Sequence, residues 1–451
     1  MPSSVKIKKG FDIRIKGIAE KHIVQGIDSA LYAVKPEDFP GLTPKLSVKE
    51  GDRVLAGTPL FHDKIHPEIV FTSPVSGKVL SVNRGERRKM LEVVVEKGGD
   101  DYIDFGKSDP SVQSREKIKT DLLASGLWPA IRQRPYHIIA RPYDVPKSIF
   151  ISGFDSSPLA PDYNFIMDNT SQLNFQTGVN ALKKLTDGKV NLVLNGKHTY
   201  SESLTNTSGV DVSYFSGPHP AGNVGVHIHN LDPLNKGEVV WFVNLQDVIT
   251  IGTLFSEGIY RNDRIIALTG SEVILPRYFR IRSGISVAPI VKENVTKGHL
   301  RYISGNVLTG TRIESDGFLG FYDSQLTVLP EGDYFEFFGW ASPGINKFSF
   351  TKTFASKVIP RKSYVLDTNL HGGERAFVMT GFYEKVVPMD IYPMQLLKAI
   401  LAEDIDMMEN LGIYEIAEED FALCEFICPS KIEIQSIVRK GLDLMIKEMH
   451  S

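Results

Sequence analysis

Short apolar runs broken by turn residues fill the first hundred positions. In "PKLSVKEGDRVLAGTPLF" and "VFTSPVSGKVLSVNRGE" the hydrophobic residues come in strand-length groups. Gly51-Asp52 and Gly77 supply turns there, and Gly57 with Pro59 supplies a corner. This pattern predicts an all-β unit over residues 1–105, followed by a polar linker over 98–119. The period then changes. "KIKTDLLASGLWPAI" has the spacing of a short helix ended at Gly126, and "SIFISGFDSSPLAPD" reads as a buried strand running into a loop. "FQTGVNALKKLT" is a helix, "KVNLVLNG" a strand, and "EVVWFVNLQDVITIGTLF" a strand followed by a helix. Such alternation predicts an α/β sheet domain over 115–258. Short strands with glycine turns return in "RIIALTGSEVILPRYFRIRSGISV" and "HLRYISGNVLTGTRI", giving a second β unit over 259–345. The remainder, 346–451, ends in helices: Leu396, Leu397, Ile400 and Leu401 form one apolar face, and Ile434, Ile437, Val438, Leu442 and Met445 another.

Composition narrows the class without naming it. A chain of 451 residues is too long for one core and fits three or four domains. Hydrophobic residues at 42%, charged residues at 23% and a net charge of −3 exclude a disordered chain and give no footing for nucleic acid. The basic runs "GERRKM" (Arg87, Arg88, Lys89) and "RQRP" (Arg132, Arg134) lack interleaved aromatics and read as solvated faces or subunit contacts. Two cysteines four positions apart, Cys424 and Cys428, cannot build a disulfide framework, which points to a reducing compartment. The start "MPSSVKIKKGFDIRIKG" has no apolar core of a signal peptide, and no run reaches the length of a membrane span, so a cytosolic chain is expected.

Three stretches could carry chemistry. "FSGPHPAGNVGVHIH" holds His219, His227 and His229. If the last pair lies on a strand, both rings face one side and could make a three-nitrogen metal site with His219. The other reading is a rigid loop in which histidines bond otherwise unpaired carbonyls. A phosphate loop fits poorly, because "VHIHNLDP" looks extended where a helix N-terminus is needed. Cys424 and Cys428 in "CEFICPSK" read as half-buried thiols one helical turn apart; the alternative is a cluster or thiol pair shared with a partner chain. No G-x-S-x-G elbow and no Cys/His pairing in sequence supports hydrolase chemistry.

The N-terminal turn pattern resembles the two halves of a biotinyl- or lipoyl-type barrel-sandwich hybrid. In that family the hairpin tip carries a modified lysine after an aspartate, and Asp63-Lys64 falls near that place, although ten positions separate Lys64 from Pro74. A wider resemblance covers essentially the whole chain. "KIKKGFDIRIKG", "VFTSPVSGKVLSVNRGERR", "FSGPHPAGNVGVHIHNLDP", "QDVITIGTLF", "GGERAFVMTGFYEKVVPMDIYP" and "FALCEFICPSK", in this order, resemble the NqrA subunits of the Na⁺-translocating NADH:quinone oxidoreductases (Na⁺-NQR). That family is similar to the electron-input subunits of Rnf complexes and of respiratory complex I. Three cofactor motifs of those relatives are altered here. Their glycine-rich flavin loop corresponds to "GLWPAIRQRP", with Trp128, Pro129 and Ile131 in place of small residues. Their N-x-x-E-x-E-P motif corresponds to "SGFDSSPLAPD", with Asp155 and Ser157 where glutamates are expected. Of their cluster cysteines, Cys424 and Cys428 remain.

The resemblance implies a multidomain α/β and α+β fold: a sandwich hybrid (1–105), a Rossmann-like α/β domain (115–258), an SLBB-like β-grasp domain (259–345), and a C-terminal region (346–451) ending in a helical, cluster-less ferredoxin-like domain. It implies a peripheral subunit on the cytoplasmic side of the bacterial inner membrane, in a complex that couples NADH oxidation and quinone reduction to Na⁺ export. Its partners would be the other subunits, some membrane-embedded. FAD or FMN, iron–sulfur centres, NADH and quinone are expected on the complex, with no cofactor, metal or catalytic residue on this chain. A quinone contact is considered at Tyr334, Phe335, Phe337, Phe338 and Trp340 in "DYFEFFGW", against a β-domain core role for the same rings. The rival from another class is a stand-alone carrier or metal-binding protein that uses Lys64 or the loop of His219, His227 and His229.

Overall fold

The computed structural model describes residues 3–198, 200, 202–334, 336–339, 341–358 and 363–450. The element that positions everything else is a seven-stranded sheet. Its order is Ser3–Lys6, Asp211–Ser216, Lys189–Asn195, Ser148–Gly153, Val240–Asn244, Arg132–Arg134 and Ile138–Ile139. The first five strands are parallel, and the last two close one edge as an antiparallel hairpin. Ile149, Phe150 and Ile151 are wholly buried, as a parallel strand covered on both faces requires. On one face the helices Gln172–Leu185 and Leu245–Glu257 cross with backbones nearly touching. A Cβ on Gly252 would lie 1.7 Å from the Asn174 carbonyl oxygen, so only glycine permits this packing. On the other face, Phe150, Val193, Phe215 and Phe242 share a core with Leu396, Leu397, Ile400, Phe421, Val438, Leu442 and Met445 of the C-terminal helices. Of the residues read as apolar faces there, Ile437 is only partly buried and Leu401 is exposed.

The N-terminal sandwich packs a four-stranded sheet, Leu31–Val34, Met90–Gly99, Ser76–Arg84 and Arg53–Val54, against a three-stranded one, Pro44–Leu46, Pro59–Asp63 and Val70–Thr72. Phe61 and Phe71 stack 4.8 Å apart in its interior. The two strands before it serve the neighbouring sheets instead. Ser3–Lys6 pairs in parallel with Asp211–Ser216, and Glu20–Val24 pairs with Arg277–Arg282 at the edge of the β-grasp sheet. That six-stranded sheet runs Thr311–Ile313, Leu300–Ser304, Gln325–Pro330, Asp263–Thr269, Arg277–Arg282 and Glu20–Val24. The linker stretch is partly structured: Tyr102 bridges to Ala56, Asp104 bridges to Ile259, and the helix Arg115–Ser125 has begun before its end. Ser114 caps that helix and Gly126 ends it in the left-handed conformation.

Several expectations are overturned. His227 and His229 lie on a helix, Val224–Leu231, and not on a strand. Every residue from Ala221 to Ile228 is buried, so the first part of the helix lacks the polar face that would have betrayed its period. Arg134 is not on a solvated face but wholly buried, whereas Arg87, Arg88 and Lys89 are exposed. Cys424 and Cys428 are fully rather than half buried. The rings of Tyr334, Phe337 and Phe338 are not β-domain core: the last β-grasp strand ends at Pro330, and all three are exposed. Phe335 and Trp340 lie outside the described residues. Among the described residues no helix is long and apolar enough to cross a membrane.

Candidate functional site at the strand-end cleft

In an open parallel sheet, ligands bind beyond the carboxyl ends of the strands, where the connections part to opposite sides. Here that point lies between Ser148–Gly153 and Val240–Asn244. A polar cleft of about 110 Å³ opens there, lined among others by Arg132, Ser152, Asp155, Asn223, Asn244 and Glu419. Three groups of residues decide what it can do.

The first is the segment after Gly126. Trp128 and Ile131 are fully buried, and the Trp128 indole N–H donates to the Ala140 carbonyl at 2.6 Å while its ring meets Trp241 edge-on. Leu127, Ala130 and Ile131 donate their amides to Leu122, Leu127 and Trp128, and Pro129 has none to give. A phosphate cradle needs several free amides converging on one point. This segment is spent on core and on its own turns.

The second is the histidine loop. Asp12 accepts the His219 amide at 2.9 Å, His219 Nδ1 lies 3.0 Å from Ser156 Oγ, and the Gly222 amide donates to that same hydroxyl at 2.7 Å. His227 Nε2 bonds the Ala221 carbonyl at 3.0 Å, with its ring against Phe215. His229 sits on another side of the helix, between Glu415 at 2.6 Å and the Asp390 amide. Burial pushes His219 and His227 down to about 4, so both are neutral at pH 7, while the Glu415 carboxylate raises His229. The three rings serve three separate partners. Among the described residues no three metal-ligating side chains converge.

The third is an acidic turn, Glu418-Glu419-Asp420, opening the helix Glu418–Ile427. Arg134 donates to Asp420 at 3.0 Å and to Glu419 at 2.7 Å. Glu418 accepts from Arg439 at 2.5 Å and lies 3.2 Å from His137, and Arg439 also donates to the Tyr136 carbonyl. The Asn223 side chain, at the start of the helix Val224–Leu231, donates to the Glu419 carbonyl. A Cβ on Gly225 would lie 2.6 Å from Asp420 Oδ2, so the carboxylate rests against the first turn of that helix. The favoured place for a ligand anion is therefore taken by a carboxylate of the chain itself. Desolvation, with Glu419 alongside, raises Asp420 to about 6 despite Arg134, whereas Arg134 and His137 hold Glu419 below its ordinary value.

Sequence reasoning located the altered loop and the histidine stretch but missed this joint. "AEEDFALCEF" carries the acids expected at any exposed helix start, and nothing in it says that Arg134, some 285 residues earlier, will meet them. Elsewhere, Lys64 is exposed in the turn between Pro59–Asp63 and Val70–Thr72, its amide bonded to the Thr43 carbonyl. Tyr383 donates to the Cys428 thiol at 3.0 Å, and burial raises the Cys424 thiol.

Fold and cleft together define a multidomain α/β protein with a mostly parallel sheet whose strand-end cleft is lined on one side by its own acidic turn. Comparison with known proteins gives the particular family. Residues 5–98 match the NqrA N-terminal barrel-sandwich hybrid domain, 113–260 the NqrA second alpha/beta domain, and 265–315 the NQRA C-terminal domain. The NqrA subunit of the Na(+)-translocating NADH-quinone reductase of Yersinia pestis is 42% identical, covering 98% of this chain and 100% of its own. The corresponding subunit of Rhodopirellula baltica is 40% identical, covering 99% of each chain. An NAD+-reducing [NiFe]-hydrogenase structure is similar with a TM-score of 0.40 at 10% identity, over 76% of this chain and 63% of the hydrogenase chain. The chain belongs to the NqrA family of Na⁺-translocating NADH-quinone reductase subunits.

Proposed function

We propose that this chain is a peripheral subunit, on the cytoplasmic side of the bacterial inner membrane, of a complex that oxidises NADH, reduces quinone and exports Na⁺. Within it the chain binds no flavin, cluster or metal and supports the subunits that carry the electrons. One observation carries the cofactor-free reading: beside the strand-end cleft the first turn of the helix Val224–Leu231 already holds Asp420, which with Glu419 is bonded to a buried Arg134. A bound flavin phosphate would have to displace a carboxylate from the helix Val224–Leu231 and leave Arg134 without its partners. Electron transfer needs groups of its own, so these belong on other subunits.

The test is affinity purification of the tagged chain from detergent-solubilised membranes of its source, with spectra and protein identification on the eluate. Co-purification with several hydrophobic subunits and Na⁺-stimulated NADH:quinone activity is expected, and the chain alone should be colourless. A yellow chain after separation from its partners would overturn the cofactor-free reading. A quinone-binding role has less support, because the described aromatics of "DYFEFFGW" are exposed. A soluble quinone analogue should show no saturable binding to the isolated chain. The exposed turn position of Lys64 is what favours the carrier reading. Intact mass equal to the unmodified chain would end it.

A further inference from the structure

The longest stretch of this chain without an acidic residue runs from 337 to 366. It carries Lys347, Lys352, Lys357, Arg361 and Lys362 and no Asp or Glu, in a chain with 54 acids against 51 lysines and arginines. It follows the last β-grasp strand and has no strand or long helix among its described residues. Its base is tied down: Phe348 and Phe350 pack on Phe11 at 5.3 and 5.2 Å, and Phe350 also meets Phe382. Above that base the chain forms a small knot. Lys347 reaches back to Glu336 and to the Gly339 carbonyl, Ser356 donates to the Lys347 carbonyl, and the Ala355 amide donates to Pro343.

The knot presents apolar groups to solvent. Phe337 is 89% exposed, Phe338 57% and Val358 82%, and the two phenylalanine rings touch edge to face at 4.5 Å. Lys352 and Lys357 are exposed in the same segment, and among the described residues neither has an ion-pair partner. Phe338 and Lys352 both hold left-handed backbone, a conformation that bulky residues rarely adopt. Exposed aromatic and aliphatic tips in one segment with unpaired lysines, and no acid for 30 residues, match a surface that is apolar just below a layer of negative charge.

We propose that residues 337–358 are a docking loop for the headgroup layer of an anionic lipid bilayer. Phe337, Phe338 and Val358 enter the boundary between headgroups and acyl chains, and Lys352 and Lys357 sit against lipid phosphates. The proposal rests on the reading of the chain as a membrane-complex component but needs no other chain to act. It differs from a protein contact in its chemistry: the charge is one-sided, and the apolar tips stand on an irregular loop.

The test is flotation of the purified full chain with phosphatidylcholine vesicles and with vesicles that also contain phosphatidylglycerol. Binding to the second and not the first is expected. Lys352→Glu with Lys357→Glu should weaken it by about 25-fold or more, since each lysine near such a surface is worth about fivefold. Phe337→Ser with Phe338→Ser should weaken it at every ionic strength. As a control of equal charge change, Lys45→Glu with Lys49→Glu on the sandwich should bind as the parent does. All of these positions are exposed, so an unchanged melting temperature verifies folding. No flotation with anionic vesicles, or equal losses in loop and sandwich variants, would overturn the lipid contact. If the loop variants lost co-purification with membrane subunits yet the parent ignored lipid, the loop would be a protein contact and the reading of the chain as part of a membrane complex would stand. Failure of both assays would remove that reading as well.

Discussion

Two buried arginines pin the central sheet to its neighbours, and they do so differently. Arg264, on the β-grasp strand Asp263–Thr269, meets a single carboxylate, Asp247 on the helix Leu245–Glu257, donates to Asn262 and lies over the Phe321 ring. Arg134, on the sheet's antiparallel edge, meets two carboxylates of the C-terminal helical region. A third acid, Glu418, is balanced alongside by Arg439 and His137. The first joint is a neutral pair. The second gathers three acids around two arginines, so its balance depends on where protons sit. The difference teaches that the joint beside the cleft is an electrostatic arrangement with its own pH behaviour, whereas the β-grasp contact is a plain buried pair.

Removing the cation should break the comparison most visibly. Arg134→Met leaves Glu419 and Asp420 close together without a counter-charge, and an uncompensated buried charge costs about 3–5 kcal/mol. Arg264→Met leaves only one carboxylate to neutralise, and should cost about 1–2 kcal/mol less. Urea midpoints of the two variants, with fragment patterns from limited proteolysis, measure this. The C-terminal helices should be released first in the Arg134 variant. Equal midpoints for the two would sink the distinction.

The histidine loop packed beside the charged joint should give the next largest effect. His219 and His227 have folded values of about 4 against 6.5. Between those values the folded chain binds fewer protons than the unfolded one. Their contribution is therefore present above pH 6.5 and lost as pH falls toward 4, by about 3 kcal/mol for each ring. His227→Phe, which keeps a ring against Phe215 and Phe154, should flatten this slope. Thermal melting of parent and variant from pH 4.5 to 7.5 checks it, and parallel curves would contradict it.

How much of this was legible is seen by setting segments side by side. The helix Arg115–Ser125 was readable because its stop signal is local: Gly126 takes the left-handed turn that the sequence announced. The Ser148–Gly153 and Val240–Asn244 strands were readable because their consecutive apolar residues, Ile149 to Ile151 and Val240 to Val243, have few other uses in an alternating pattern. The helix Val224–Leu231 was not, since burial of its first five residues erases the amphipathic period there. The altered loop at Trp128 was visible by resemblance, but its consequence, amides consumed by their own turns, needed the backbone. The joint of Arg134 with Glu419 and Asp420 was invisible, because a pairing across the chain leaves no trace in either segment. The same limit hid the N-terminal strands, which pair with sheets built from residues far downstream.

A smaller effect sharpens the comparison from the other side. Asp420 is raised to about 6 from 3.8, so between those values the folded chain holds the proton more tightly than the unfolded one. Stability from this group is full below about pH 4 and falls as pH rises through 6, opposite in sign to the histidines. Asp420→Asn removes this titration while keeping the shape and one acceptor for Arg134. The difference in stability between Asp420→Asn and parent should therefore shift in the variant's favour from pH 4.5 to 7.5, by about 1–3 kcal/mol. The histidine slopes are common to both proteins and cancel in that difference. The matching change at the other joint, Asp247→Asn, removes the sole carboxylate of Arg264 and should be the more damaging of the two at pH 7.5. If Asp420→Asn proved the worse, Arg134 would need both carboxylates, and the joint beside the cleft would be a balanced triad rather than one firm ion pair with a second acid held beside it.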